Sequence, residues 1–118
     1  MKVCICGSRN ITDYELLKQC VIDSKFEITS IISGGAKGVD QLAIQYAKEF
    51  NIPWVEYLAD WATHGRSAGI IRNKQMVDKA EGVIALWDGL SSGTANSISY
   101  AQKTEKPLFI WSPHRVNI

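Results

Sequence analysis

The sequence has no surplus of charge of either sign: 13 Lys and Arg stand against 12 Asp and Glu, a net charge of +1. No basic excess draws the chain toward nucleic acid, and no acidic excess pushes it away. Cysteine is sparse and odd in number, three in all. Cys4 and Cys6 share an extended run and point to one face, and Cys20 falls on a predicted helix. They read as reduced thiols packed as small apolar groups, not as a disulfide framework. The two histidines, His64 and His114, lack ligand spacing, so no metal is expected. No apolar run approaches a membrane span, and "MKVCICGSR" is too short for a secretory signal. The expectation is a cytoplasmic protein whose 118 residues form one domain, 1–118.

What is present alternates. Apolar runs at 2–6, 28–32, 53–57, 82–87 and 107–111 read as five strands. Between them lie amphipathic stretches predicted as helices over about Thr12–Ser24, Val39–Phe50, Arg66–Ala80 and Thr94–Thr104. Thr12 with Glu15 three residues on predicts a capping box for the first helix. Pro53 makes the third strand an edge strand. Strand-helix alternation with near-continuous apolar strands predicts an α/β fold: three layers, doubly wound and Rossmann-like, around a mainly parallel sheet of about five strands.

Every strand-to-helix loop of such a sheet leaves from one edge, where ligands bind. The glycine, serine, arginine and aspartate of this chain concentrate in those loops: "GSRNIT", "SGGAKGVD", "LADWATHGRSAG" and "DGLSSGT". Two of them run into helix starts, where free amides favour an anion. Neither is a Walker A loop, because Lys37 precedes Gly38, and the first loop lacks the dinucleotide pattern of glycines. The candidates are Gly7, Ser8 and Arg9, then Ser33, Gly34, Gly35, Ala36, Lys37, Gly38 and Asp40. Asp60 and Trp61 follow in the third loop, and Asp88, Gly89, Ser92, Gly93 and Thr94 in the fourth. Arg72 and Asn73 join them from the third helix. Asn73 sits inside an apolar stripe, so its amide needs loop backbone or a ligand as partner. Arg72 suits a phosphate, and equally an ion pair with Asp60 or Asp88. Trp61 suits stacking on a base, a cap on the core, or a dimer contact.

In this order "GSRNITD", "SGGAKGVD", "ADWATHGRSAGIIRNKQMV" and "WDGLSSGT" resemble the SLOG superfamily of DprA-like and LONELY GUY-like Rossmann domains, within it the YspA-like branch. The resemblance covers almost the whole chain. It implies a nucleotide-derived ligand at the strand C-terminal edge. The cytokinin-activating members carry a motif resembling PGGxGTxxE, with an essential glutamate; "GLSSGTANS" matches through Gly93 and Thr94 and places Ser97 at the glutamate. The DprA-like members bind single-stranded DNA, but a charge of +1 without a basic-aromatic stripe speaks against that here.

The first reading is therefore a binder, not an enzyme, that senses or sequesters a phosphate-bearing nucleotide derivative such as ADP-ribose or NAD. In it Gly34, Gly35, Lys37, Gly38, Gly93 and Thr94 hold phosphate, Arg9 and Arg72 neutralise it, and Asp40 or Asp88 takes ribose hydroxyls. The alternative is an N-glycosidase acting on nucleoside monophosphates. A homo-oligomer is expected, with no cofactor, no nucleic-acid partner and no membrane partner. The expected partner is the small molecule alone.

Overall fold

The computed structural model describes residues 1–113, and His114 lies outside them. Five strands, β1 (Lys2–Gly7), β2 (Ser30–Ser33), β3 (Trp54–Glu56), β4 (Gly82–Leu86) and β5 (Leu108–Trp111), form one sheet in the order β3-β2-β1-β4-β5. Every pairing is parallel. The predicted α/β, doubly wound, Rossmann-like fold is the observed one.

The pattern of apolar residues explains the layers. β1 lies at the centre, and alternate side chains go to opposite faces. Val3 and Ile5 join a core with Ile31, Ile84 and Leu86, covered by α1 (Tyr14–Ser24) and α2 (Val39–Glu49). Cys4 and Cys6 join a second core with Ile32, Val83 and Ala85, covered by α4 (Ala68–Lys79) and α5 (Ser92–Lys103). All three cysteines are buried and unbridged. β4 is buried at all five positions, as a strand covered on both faces must be. Among the described residues no helix is long and apolar enough to cross a membrane.

Three local expectations need correction. The cap of α1 is Asp13, not Thr12: the Leu16 amide donates to Asp13 Oδ1 at 3.2 Å. Two cap-forming residues stand side by side here, and the backbone turns at the second. The helix expected from Arg66 is preceded by a separate turn of helix, α3 (Trp61–His64), capped by Asp60. A 3-10 turn over Gly65–Ser67 then leads into α4. Strand two begins at Ser30, two residues later than its apolar run. β3 sits at the sheet edge, as Pro53 required.

The order of strands reverses between β1 and β4. That switch point, at the C-terminal edge, is where the loops after these two strands diverge and leave a crevice. The cap assignment gives a direct expectation: Asp13→Ala lowers unfolding free energy by about 1 kcal/mol in urea titrations, and Thr12→Ala leaves it nearly unchanged.

Candidate nucleic-acid interface

A cleft of about 560 Å³ opens at this switch point. Its walls come from the loops after β1 and β4, from the start of α5, and from α3 and one side of α4. Of the expected residues, Gly7, Ser8, Arg9, Ala36, Asp40 and Trp61 line it. So do Arg72, Asn73, Asp88, Ser92, Gly93 and Thr94. Ser33, Gly34, Gly35, Lys37, Gly38, Asp60 and Gly89 do not.

Of the glycine loop after β2 only Ala36 reaches the lining, with Asp40 behind it, because the protein fills the rest. Asp40 turns back and accepts the Ala36 amide on Oδ2 at 3.1 Å. The Gly35 amide donates to Ser33 Oγ at 3.2 Å, and Ser33 Oγ donates to the Asp40 carbonyl at 2.9 Å. Arg72 Nη1 donates to the Gly34 carbonyl at 2.8 Å. A Cβ on Gly34 would lie 2.8 Å from that nitrogen and 2.9 Å from Asp40 Oδ2, so glycine admits the protein's own charged groups here. Gly38, at φ +77°, lies against the Ser8 and Arg9 carbonyls, and the Val39 amide donates to Ser8 O at 3.4 Å. The start of α2 is thus spent on the neighbouring loop. Lys37 is exposed and turned out of the cleft.

The loop after β4 is built differently. Asp88 Oδ1 accepts the amides of Leu90 and Ser91, each at 2.8 Å. These bonds, Ser91 first, pull its carboxyl below the usual aspartate value. Asp88 N–H donates to Ser8 Oγ at 2.9 Å, and that oxygen lies 2.9 Å from Ser91 Oγ. The loops after β1 and β4 are therefore stitched together through two serines. Because Ser91 is so engaged, its side chain does not cap α5. The first turn of α5, with Ser92, Gly93 and Thr94, borders the cleft with its positive end.

Arg72 and Asn73 join the walls. Arg72 Nε donates to Asn73 Oδ1 at 2.9 Å, and Asn73 Nδ2 donates to the Gly93 carbonyl at 3.4 Å. Arg72 Nη1 also reaches the Tyr57 carbonyl at 3.5 Å. Loop backbone, not an ion pair with Asp60 or Asp88, satisfies both side chains. Asp60 instead caps α3, its Oδ1 accepting the Thr63 amide at 3.1 Å. Ser97 is buried, its hydroxyl donating to the Gly93 carbonyl at 3.3 Å.

Asn10, Arg66, Ile70 and Asn96 also line the cleft and were not anticipated. Arg66 and Ile70 are four residues apart, next to Gly69 and Asn73 on the same wheel, so helical spacing carried that signal. Trp61 is 56% exposed and packs toward Gly69, its ring 3.6 Å from where a Cβ would stand there. The cleft therefore carries three arginines, Arg9, Arg66 and Arg72, against Asp40 and Asp88, with an exposed indole on its rim.

The doubly wound parallel sheet with a polar crevice at its switch point is a Rossmann-like α/β domain. The family model described as YAcAr, the YspA, cpYpsA-related SLOG family, matches residues 1–64, and this chain belongs to that family. It is similar to the Gene 61 protein of Mycobacterium phage D29, 36% identical over 84 residues, which span 66% of this chain and 67% of that one. It is also similar to the uncharacterized SPbeta prophage-derived protein YoqJ of Bacillus subtilis (strain 168), 42% identical over 43 residues, 36% of this chain and 25% of that protein. Among solved structures, DNA processing protein A from Helicobacter pylori, described for its unique single-stranded DNA binding mode, matches with a TM-score of 0.72 at 25% identity. That match covers 99% of this chain and 67% of the other.

This last finding overturns two expectations. A small-molecule nucleotide ligand, with its N-glycosidase alternative, was the wrong class, and the absence of a nucleic-acid partner was the wrong conclusion. Net charge averages over the whole surface, whereas Arg9, Arg66 and Arg72 converge on one cleft from three separate segments.

Asp40 is 5% exposed, and burial raises its carboxyl from the usual 3.8 to about 6, against the pull of the Ala36 amide, Arg72 and Arg9. The folded value lies above the unfolded one. The contribution of Asp40 to native stability is therefore greatest below the unfolded pKa and is lost as pH rises through about 6. Asp40→Asn keeps an acceptor for the Ala36 amide and removes the buried charge. It should unfold at a higher temperature than wild type at pH 8, by up to about 3 kcal/mol in free energy, with the gap closing below about pH 4.

Proposed function

We propose that this chain binds single-stranded DNA in the cleft at its switch point. The observation that carries this reading is the whole-chain likeness to the Helicobacter pylori protein. The composition of the cleft supports it. Single-strand binders combine cations that follow the backbone with aromatic faces on which bases stack. Arg9 and Arg66 are exposed on the cleft wall, and the first turn of α5 adds amides that suit a phosphate oxygen. Trp61 and Ile70, 56% and 42% exposed, add an apolar surface for a base beside Arg66. Arg72 serves mainly as a strut, because its donors already reach the Gly34 and Tyr57 carbonyls.

A duplex would not suit this arrangement, because a paired base hides its faces from an indole. Fluorescence anisotropy with a labelled oligothymidylate and with the same length of duplex tests the reading. The expected result is preference for the single strand. For about two phosphates neutralised by Arg9 and Arg66, log K should fall with log salt at a slope of about −1.4. Trp61→Ala should weaken binding by roughly tenfold, the worth of about one stacked base. Equal affinity for duplex, or no binding at low salt, would overturn it.

A further inference from the structure

We propose that β3 is the seam of a symmetric dimer, in which the five-stranded sheet of one chain continues into that of a second copy. β3 is an edge strand exposed at all three positions. Trp54 is 39% exposed and Val55 55%, with Leu58, two residues past the strand, at 75%. Within the strand stand neither a lysine nor a proline nor a bulge; its shortness and the charge of Glu56 are what blunt this edge, and the pairing below neutralises that charge.

The hydrogen bonds fix what the edge offers. The Ile31 amide donates to the Pro53 carbonyl and the Tyr57 amide to the Ser33 carbonyl, so residues 53, 55 and 57 face β2. Backbone groups alternate along a strand, which turns the amides and carbonyls of Trp54 and Glu56 outward. Two outward positions spaced by two residues are self-complementary about a two-fold axis at Val55. Antiparallel pairing sets Trp54 against Glu56 of the second copy, and Glu56 against Trp54 of the second copy, with four backbone bonds.

The side chains agree with that register. Trp54 pairs with Ile31 in the sheet, which puts Trp54 and Glu56 on the face covered by α1 and α2. Lys48 of α2 stands over Trp54, its Nζ 5.7 Å from the ring centroid. Trp54 meets Glu56 of the second copy, so Lys48 comes beside that carboxylate, twice per dimer. Glu56 makes no salt bridge inside its own chain among the described residues. On the other face the two Val55 side chains meet at the axis. The strands of the two halves run in opposite directions, so the two clefts open on opposite sides of the ten-stranded sheet. Dimerisation is then independent of DNA binding.

Sedimentation velocity over a concentration series of the full chain tests this, with circular dichroism showing that each variant is folded. Wild type should dimerise. Glu56→Lys and Lys48→Glu should each raise the dissociation constant roughly tenfold, through two like-charge contacts between α2 of one copy and β3 of the other. The double swap, Lys48→Glu with Glu56→Lys, should restore the dimer. Val55→Lys, at an exposed position on the other face, should give monomer without touching the charge pair. A wild-type chain that stays monomeric at every concentration would overturn the proposal, as would a dimer indifferent to these changes or a double swap that stays monomeric.

Discussion

The guanidinium of Arg72 is the point on which the cleft depends. One side chain from α4 holds the carbonyl of Gly34 at 2.8 Å, reaches that of Tyr57, and braces Asn73, which in turn holds the carbonyl of Gly93. Loops that follow β2, β3 and β4 are thereby tied to a single helix. Carbonyl groups in loops are obligatory acceptors, and leaving them unpaired in a part-buried position costs on the order of 1–3 kcal/mol each. A planar fork of donors can satisfy several at once where an ammonium cannot. The glycine at position 34 follows from this constraint, since any side chain there would displace the guanidinium.

The same constraint divides the edge of the sheet into a closed half and an open half. At the closed half, Asp40 and Arg72 occupy the loop that leads into α2, and no room is left for a guest anion. At the open half, Ser8 and Ser91 bond to each other, which withdraws the serine that would have capped α5 and leaves its first turn facing the crevice. The resulting site is a trough with arginines along it and an indole at its rim, a shape suited to an extended chain more than to an enclosed small molecule.

Much of this was legible in the sequence, for definite reasons. Apolar runs such as "GVIAL" and the stripe Leu42, Ala43, Tyr46, Ala47 carry their own periods, so strands, helices and the parallel sheet could be read directly. Clustering of loop residues pointed to the edge at which the cleft opens, and Asn73 announced an amide that needed loop backbone or a ligand as partner. The short helix Trp61–His64 was not legible, because four residues are too few to show a period. Nor was the fate of "SGGAKG": the sequence says that something must approach Gly34 closely, but the group that does so comes from 38 positions further along the chain. Sequence spacing has no term for such a contact. Composition likewise could not reveal three arginines brought to one cleft by the fold.

The most direct measurement is an amide chemical-shift titration of the isotopically labelled chain with a short oligothymidylate. Perturbations should concentrate at Ser8–Asn10, Arg66–Asn73 and Ser91–Ser97, with the α1 and α2 face unmoved. Shifts confined to that helical face, or to the exposed β3 edge, would place the strand elsewhere and contradict the account.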